Sequence, residues 1–114
     1  MENELKICVE LLKLFHISES VSPDEIEHLK IHRSQIYVLG PVYAFDYQKN
    51  HYYVVDDYSL GDDLEDVKNI LLDINHLLKG NIVRNSSDQS DGAIYAEGFD
   101  GTEYYLWEAP LGLS

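Results

Sequence analysis

The stretch Asp56-Asp-Tyr-Ser-Leu-Gly-Asp-Asp-Leu-Glu-Asp-Val-Lys-Asn-Ile-Leu-Leu-Asp-Ile-Asn-His-Leu-Leu-Lys-Gly80 joins a run of acids to an amphipathic helix. Leu64, Val67, Leu71, Ile74 and Leu78 recur in steps of three and four, and Ile70 and Leu77 widen the stripe. That spacing stacks them on one helical face, with Glu65, Asp66, Lys68, Asn69, Asp73 and Asn75 largely elsewhere. Asp62 or Asp63 is the expected N-cap, and Glu65 and Asp66 occupy the first turn, where the helix dipole favours anions. Lys79 falls in the last turn and Gly80 is expected at the left-handed C′ position. The spacing predicts a helix over 62–79. Burying its seven aliphatic side chains contributes on the order of 10–20 kcal/mol before entropy is counted.

Six acids lie between Asp56 and Asp66 with no base among them. Part of that charge belongs to the helix N-terminus and a solvated loop; together with Tyr58 it also forms a negative surface suited to a basic partner. The spacing does not match an EF-hand loop, which wants alternating acids, a central Gly and a Glu at position twelve.

The imbalance extends through the chain. Its 114 residues suit one domain with a modest core, and 21 acids against 8 bases give a net charge of −13. Such a surface disfavours binding to nucleic acid or anionic membrane through a basic patch. Apolar content is ordinary for a globular protein. One cysteine, Cys8, allows no internal disulfide, and Lys6, Glu10 and Lys13 break the first apolar stretch. A cytosolic location is therefore expected.

Leu5, Cys8, Leu12 and Phe15 share a face, broadened by Ile7, Val9, Leu11 and Leu14, so residues 3–16 read as a helix with Cys8 in its core stripe. Ser22-Pro-Asp-Glu25 has the form of a capping box and predicts a second helix over 23–30, with Glu25, His28 and His32 sharing one face. A metal site there would need further ligands that the sequence does not supply. Strands are expected over 35–39, 42–47 and 51–56, with Gln48-Lys-Asn50 as the hairpin loop and Asn50 left-handed. After the central helix come a short strand near 81–84 and a polar turn-forming loop, Asn85–Gly92, whose Asp88, Asp91 and Gly92 read as a turn. Asp100-Gly101 then separates strands over 93–99 and 102–109. A two-residue loop would place Ala96 opposite Tyr105 and Glu97 opposite Tyr104. The expected fold class is α+β: two N-terminal helices, an antiparallel meander, the central helix and a C-terminal hairpin. They form one mostly antiparallel sheet with helices packed on one face.

No phosphate loop, nucleophile elbow, Cys-x-x-Cys pair or His-Glu-x-x-His helix is present. No enzyme, cofactor or metal is expected. Nine tyrosines, many in strands that also carry acids, suit an interface. A compact acidic body with tyrosine-rich strands matches what an inhibitor of a basic nuclease or toxin domain needs, since its carboxylates can compete for the same Lys and Arg side chains. The leading expectation is an immunity protein (an antitoxin) of bacterial or phage origin. A nucleic-acid mimic and a dimerising regulatory module are the alternatives. Expected contacts are Asp56, Asp57, Tyr58, Asp62, Asp63 and Asp66, with Glu97, Glu103 and Tyr104 as a second group.

Overall fold

The computed structural model describes residues 2–26, 28–33, 41–60, 63–84 and 94–110. Helix α1 (Glu2–Leu14) precedes three strands, β1 (His28–Arg33), β2 (Pro41–Tyr47) and β3 (Asn50–Asp56). Helix α2 (Leu64–Leu78) follows, and then β4 (Asn81–Ile82), β5 (Tyr95–Glu97) and β6 (Glu103–Pro110). The six strands form one antiparallel sheet in the order β1-β2-β3-β6-β4, with β5 also on β6. The fold is α+β.

The long strand β6 is the axis of the sheet. One edge pairs with β3 from Asn50↔Pro110 to Asp56↔Tyr104. The other edge is covered from Glu103 to Glu108 by β4 at Glu108 and Trp107 and by β5 at Tyr105 to Glu103, with the Val83 N–H donating to the Leu106 carbonyl between them. Covering that edge satisfies backbone groups that would otherwise be left open.

The expected single helical layer is corrected: helices cover both faces. Tyr52, Val54, Tyr104 and Leu106 pack with Ile7, Cys8, Leu11 and Leu12 of α1 and with Phe15 just after it. Their alternate neighbours Val55, Tyr105 and Trp107 pack with Leu60 and Ile74, with Val67, Ile70 and Leu71 of α2 around them. Successive side chains of a strand point to opposite faces, so α1 and α2 lie on opposite sides of the sheet. Both faces of β3 and β6 are apolar, and each needs its own cover.

The second N-terminal helix is also corrected. Ser22 has the extended backbone of an N-cap and Pro23 follows it, but the turn closes after Pro23–Glu25 without a side-chain cap bond, and Ile26 is already extended. Ile26 and Leu29 have helical spacing, whereas Leu29 and Ile31 have strand spacing. Ladder pairing with β2, from His28↔Asp46 to Arg33↔Pro41, decides for the strand. It supplies a first strand to the meander; the strand expected over 35–39 lies outside the described residues, as does the 85–92 loop.

Helix α2 begins as expected, with the Asp63 carboxylate accepting from the Glu65 N–H at 3.0 Å. At its end the left-handed residue is Lys79, with φ 53°, and the Gly80 N–H reaches the Asn75 carbonyl. This is a Schellman arrangement one residue earlier than expected. Gly80 is needed for room instead: a Cβ there would lie 2.1 Å from the Glu108 carbonyl oxygen.

Two turns differ similarly. Tyr47 pairs with Asn50, so Gln48-Lys49 is the β2–β3 loop and Gln48, not Asn50, has positive φ. In the last hairpin Tyr95 faces Tyr105, Ala96 faces Tyr104 and Glu97 faces Glu103, a slip of one from the two-residue loop. Gly98 donates to the Thr102 carbonyl, the Gly101 N–H returns to Gly98, and Gly101 has φ 81°. Asp100-Gly101 therefore belongs to a three-residue loop with glycine in its left-handed position.

Candidate functional site

The register gathers carboxylates at one end of the sheet. Asp56 ends β3 beside Tyr104, and the chain turns at once through Asp57–Ser59. The tip of the β5–β6 hairpin, with Asp100, and the Glu97–Glu103 pair are at this same end. The C-terminal part of helix α2 lies toward the other end, where the Asn75 side-chain oxygen accepts from the Trp107 indole and Gly80 passes Glu108. Asp56 and Asp57 thus share one rim with Glu97, Asp100 and Glu103 from a distant part of the chain.

On the α2 face the Tyr105 hydroxyl donates to the Asp57 carboxylate at 3.1 Å. Burial, then that bond, then the charges of Asp57 and Glu103 push the phenol up to about 12. Tyr95 leans on the Tyr105 ring with centroids 6.1 Å apart and remains 41 % exposed; Tyr58 is 85 % exposed. Glu97, Asp63 and Asp66 are exposed, while Asp57 and Glu103 are half-buried. Glu97 directly opposite Glu103 is a like-charge pair, which is destabilising. Asp62 lies outside the described residues.

On the α1 face, Asp56, Tyr43, Val54 and Tyr104 line a small cavity of about 110 Å³. Tyr104 is a core residue, 5 % exposed, so it is not an open contact; its hydroxyl donates to the Asp100 carboxylate at 2.9 Å. Burial and that bond both raise its pKa. Burial opposes ionisation of Asp100, but the Thr102 N–H and the Tyr104 hydroxyl outweigh it and hold the carboxyl below its ordinary value. Burial, followed by the charges of Glu4 and Asp56, raises Tyr43.

These phenols give a pH signature. An unfolded tyrosine ionises near 10 and folded Tyr105 near 12. Above pH 10 the unfolded chain loses protons that the native chain keeps, so stability is full below 10 and falls as pH rises through about 12. Urea melts across that window should show this fall, and Tyr105→Phe should flatten it. A slope unchanged in the variant would remove Tyr105 as a source.

Elsewhere, burial and the charge of Glu4 push the Cys8 thiol up to about 12, which keeps it an inert core group. No local motif singles out His51. The fold sets its Nδ1 against the Asp46 carboxylate across the β2–β3 hairpin, with the ring edge-on to Tyr53. The hairpin pairing itself was the available signal. Outside α1, Leu5, Val9, Pro23 and Phe99 form a broad open groove flanked by Lys6 and Lys13, and its Glu10 carboxylate accepts from the Phe99 N–H at 2.7 Å. Among the described residues no three His, Cys, Asp or Glu side chains are arranged around a metal position, and no helix is long and apolar enough to cross a membrane.

No protein-family model, curated protein or solved structure matches this chain.

Proposed function

We propose that the chain is a stoichiometric inhibitor, an immunity protein whose acidic sheet end occupies the basic surface of a toxin or nuclease domain. The supporting observation is that the strand registers and the Tyr105–Asp57 bond bring Asp57, Glu97 and Glu103, from separate chain segments, to one end of the sheet beside the exposed Tyr58 and Tyr95 rings, with the exposed Asp63 and Asp66 following Tyr58 in the chain. Aromatic area with little rotamer entropy to lose, ringed by carboxylates, suits a Lys- and Arg-rich target. The charge steers encounter and rejects acidic partners, and a folded body carrying −13 supplies the field.

Affinity capture from the native cells at low salt is expected to recover a basic protein whose association rate falls steeply with added salt. Glu97→Lys separates binding from folding. It removes the opposition to Glu103 and should leave thermal stability equal or higher. Combined with Asp66→Lys it should slow association with the captured partner by about tenfold or more. Unchanged kinetics in the double variant would discard this surface. Capture of a nucleic-acid-binding host protein that loses DNA or RNA to the chain would favour a mimic instead.

A further inference from the structure

The groove outside α1 has the opposite character to the acidic rim. Leu5, Val9, Pro23 and Phe99 line it, Phe99 is 55 % exposed, and its volume is about 890 Å³. Single exposed apolar residues are ordinary, but four that share one groove form a patch of the kind that meets a partner. The groove is open, which suits a segment of chain laid into it better than a small molecule enclosed on most sides. Two turns of helix with side chains, about 11 Å long and 10–12 Å across, occupy roughly 1,000 Å³. One face of such a helix fits.

Its two edges differ in charge. Lys6 and Lys13, both exposed, lie seven residues apart on α1, which is two turns or about 10.5 Å. Glu10 between them is engaged with the far wall, where its carboxylate accepts the Phe99 N–H. That bond ties α1 to the β5–β6 loop, and Asp100 steadies the same loop by accepting the Thr102 N–H and the Tyr104 hydroxyl. The walls are in place before a partner arrives, so little ordering is lost on binding. The exposed Asp24 and Asp100 directly follow Pro23 and Phe99 in the chain, which makes the edge opposite α1 acidic. At physiological salt charge is screened beyond about 8 Å, so the nearest side chains outweigh the net −13 in setting what docks. A second copy is a poor occupant: a two-fold contact along α1 would set the Lys6–Lys13 edge against itself.

We propose that this groove docks an amphipathic helix of a partner protein. The helix lays its apolar stripe on Leu5, Val9 and Phe99 and sets two acids, seven residues apart, against Lys6 and Lys13. Basic residues on its other flank meet Asp24 and Asp100, so only one of the two directions along α1 matches both edges. Exposed ion pairs add little affinity; apolar contact carries the binding, and charge sets direction and register. The assignment does not rest on the inhibitor reading, because it describes a second surface with its own partner chemistry.

The test is a display library of helical peptides with randomised surface positions, selected on the full chain and counter-selected on the triple variant Phe99→Ala, Lys6→Glu, Lys13→Glu. Phe99→Ala keeps the backbone N–H that Glu10 holds, and all three positions are exposed, so the variant should melt with the wild type. Surviving peptides should carry an apolar stripe with acids seven residues apart on one flank. Made synthetically, they should shift the amides of Leu5, Val9 and Phe99. Phe99→Ala alone, and Lys6→Glu with Lys13→Glu, should each weaken them about tenfold. Exchanging the acidic and basic flanks of a surviving peptide should weaken it as much. No survivors, survivors without that acidic flank, or equal affinity in either variant would overturn the proposal. Groove shifts that grow with protein concentration in the absence of peptide would give the groove to a second copy. The same shifts with dodecanoate but no surviving helix would give it to a small amphiphile. Either result also overturns the partner helix. Its failure leaves the inhibitor reading standing, since Glu97→Lys with Asp66→Lys tests different side chains.

Discussion

Trp107→Ala is expected to take away a large share of the stability of this domain. Trp107 is fully buried in the middle of β6, between the pairing positions of β3 and β4, and its ring faces Ile74 and the Tyr105 ring beneath α2. Truncating a buried tryptophan costs about 3–5 kcal/mol. The Asn75 Oδ1 that accepts the indole N–H would lose its partner, adding about 1 kcal/mol or more. A domain of this length has a total of roughly 6–17 kcal/mol at its disposal. The measurement is a urea melt followed by far-ultraviolet circular dichroism, since the substitution removes the only tryptophan. Trp107→Phe is the control: it keeps an aromatic ring and loses the Asn75 bond, and should fall well short of the alanine loss. Equal midpoints for wild type and Trp107→Ala would mean that α2 does not pack on this face.

Gly80→Ala is the second large effect, and its cause is space. The added Cβ would lie 2.1 Å from the Glu108 carbonyl oxygen and 3.2 Å from the Ala109 Cβ. The obstacle is backbone in the axial strand, so relief requires β4 to move away from β6 and to disturb the end of α2. Overpacking of this kind costs about 1–3 kcal/mol. Gly101 supplies the contrast. Nothing lies within 4 Å of its added Cβ, but its φ is 81°. Gly101→Ala should cost about 1–2 kcal/mol through backbone conformation alone. Asparagine tolerates the left-handed region, so Gly101→Asn should recover part of that loss, while Gly80→Asn should be no better than Gly80→Ala. Recovery at Gly80 with asparagine would contradict the steric account.

Where the sequence and the fold part company, the reason is pairing over long separations. The stripe from Val67 to Leu78 and the acids at its start are local signals, and α2 follows them from the Asp63 cap onward, except that Leu77 is left exposed. The segment after Pro23 carries two competing periods in Ile26, Leu29 and Ile31, and only the ladder with β2 chooses between them. At the last hairpin Asp100-Gly101 announces a turn, but a loop of two or three residues changes which side chains share a face. That choice moves Glu97 from Tyr104 to Glu103 and leaves Tyr104 inside the core.

The candidate site follows the same division. Asp57, Asp63 and Asp66 stand out in the sequence because they are crowded into one stretch, and Glu97 and Glu103 because they flank aromatics. Nothing local connects the two groups. The Asp56↔Tyr104 register of β3 with β6 does so, and it also creates the cavity behind Asp56.

The sequence by itself determined the charge, the two amphipathic helices, the strands from Pro41 to Asp56 and the turn at Asp100-Gly101, because each is encoded within a few residues by periodicity, capping and turn chemistry. Only the tertiary structure decided that the helices take opposite faces, that Gly80 is kept for room, and that the acids meet at one end. Those outcomes depend on which strand edges pair and in what register, and hydrogen-bond ladders between distant segments leave no mark on either segment alone.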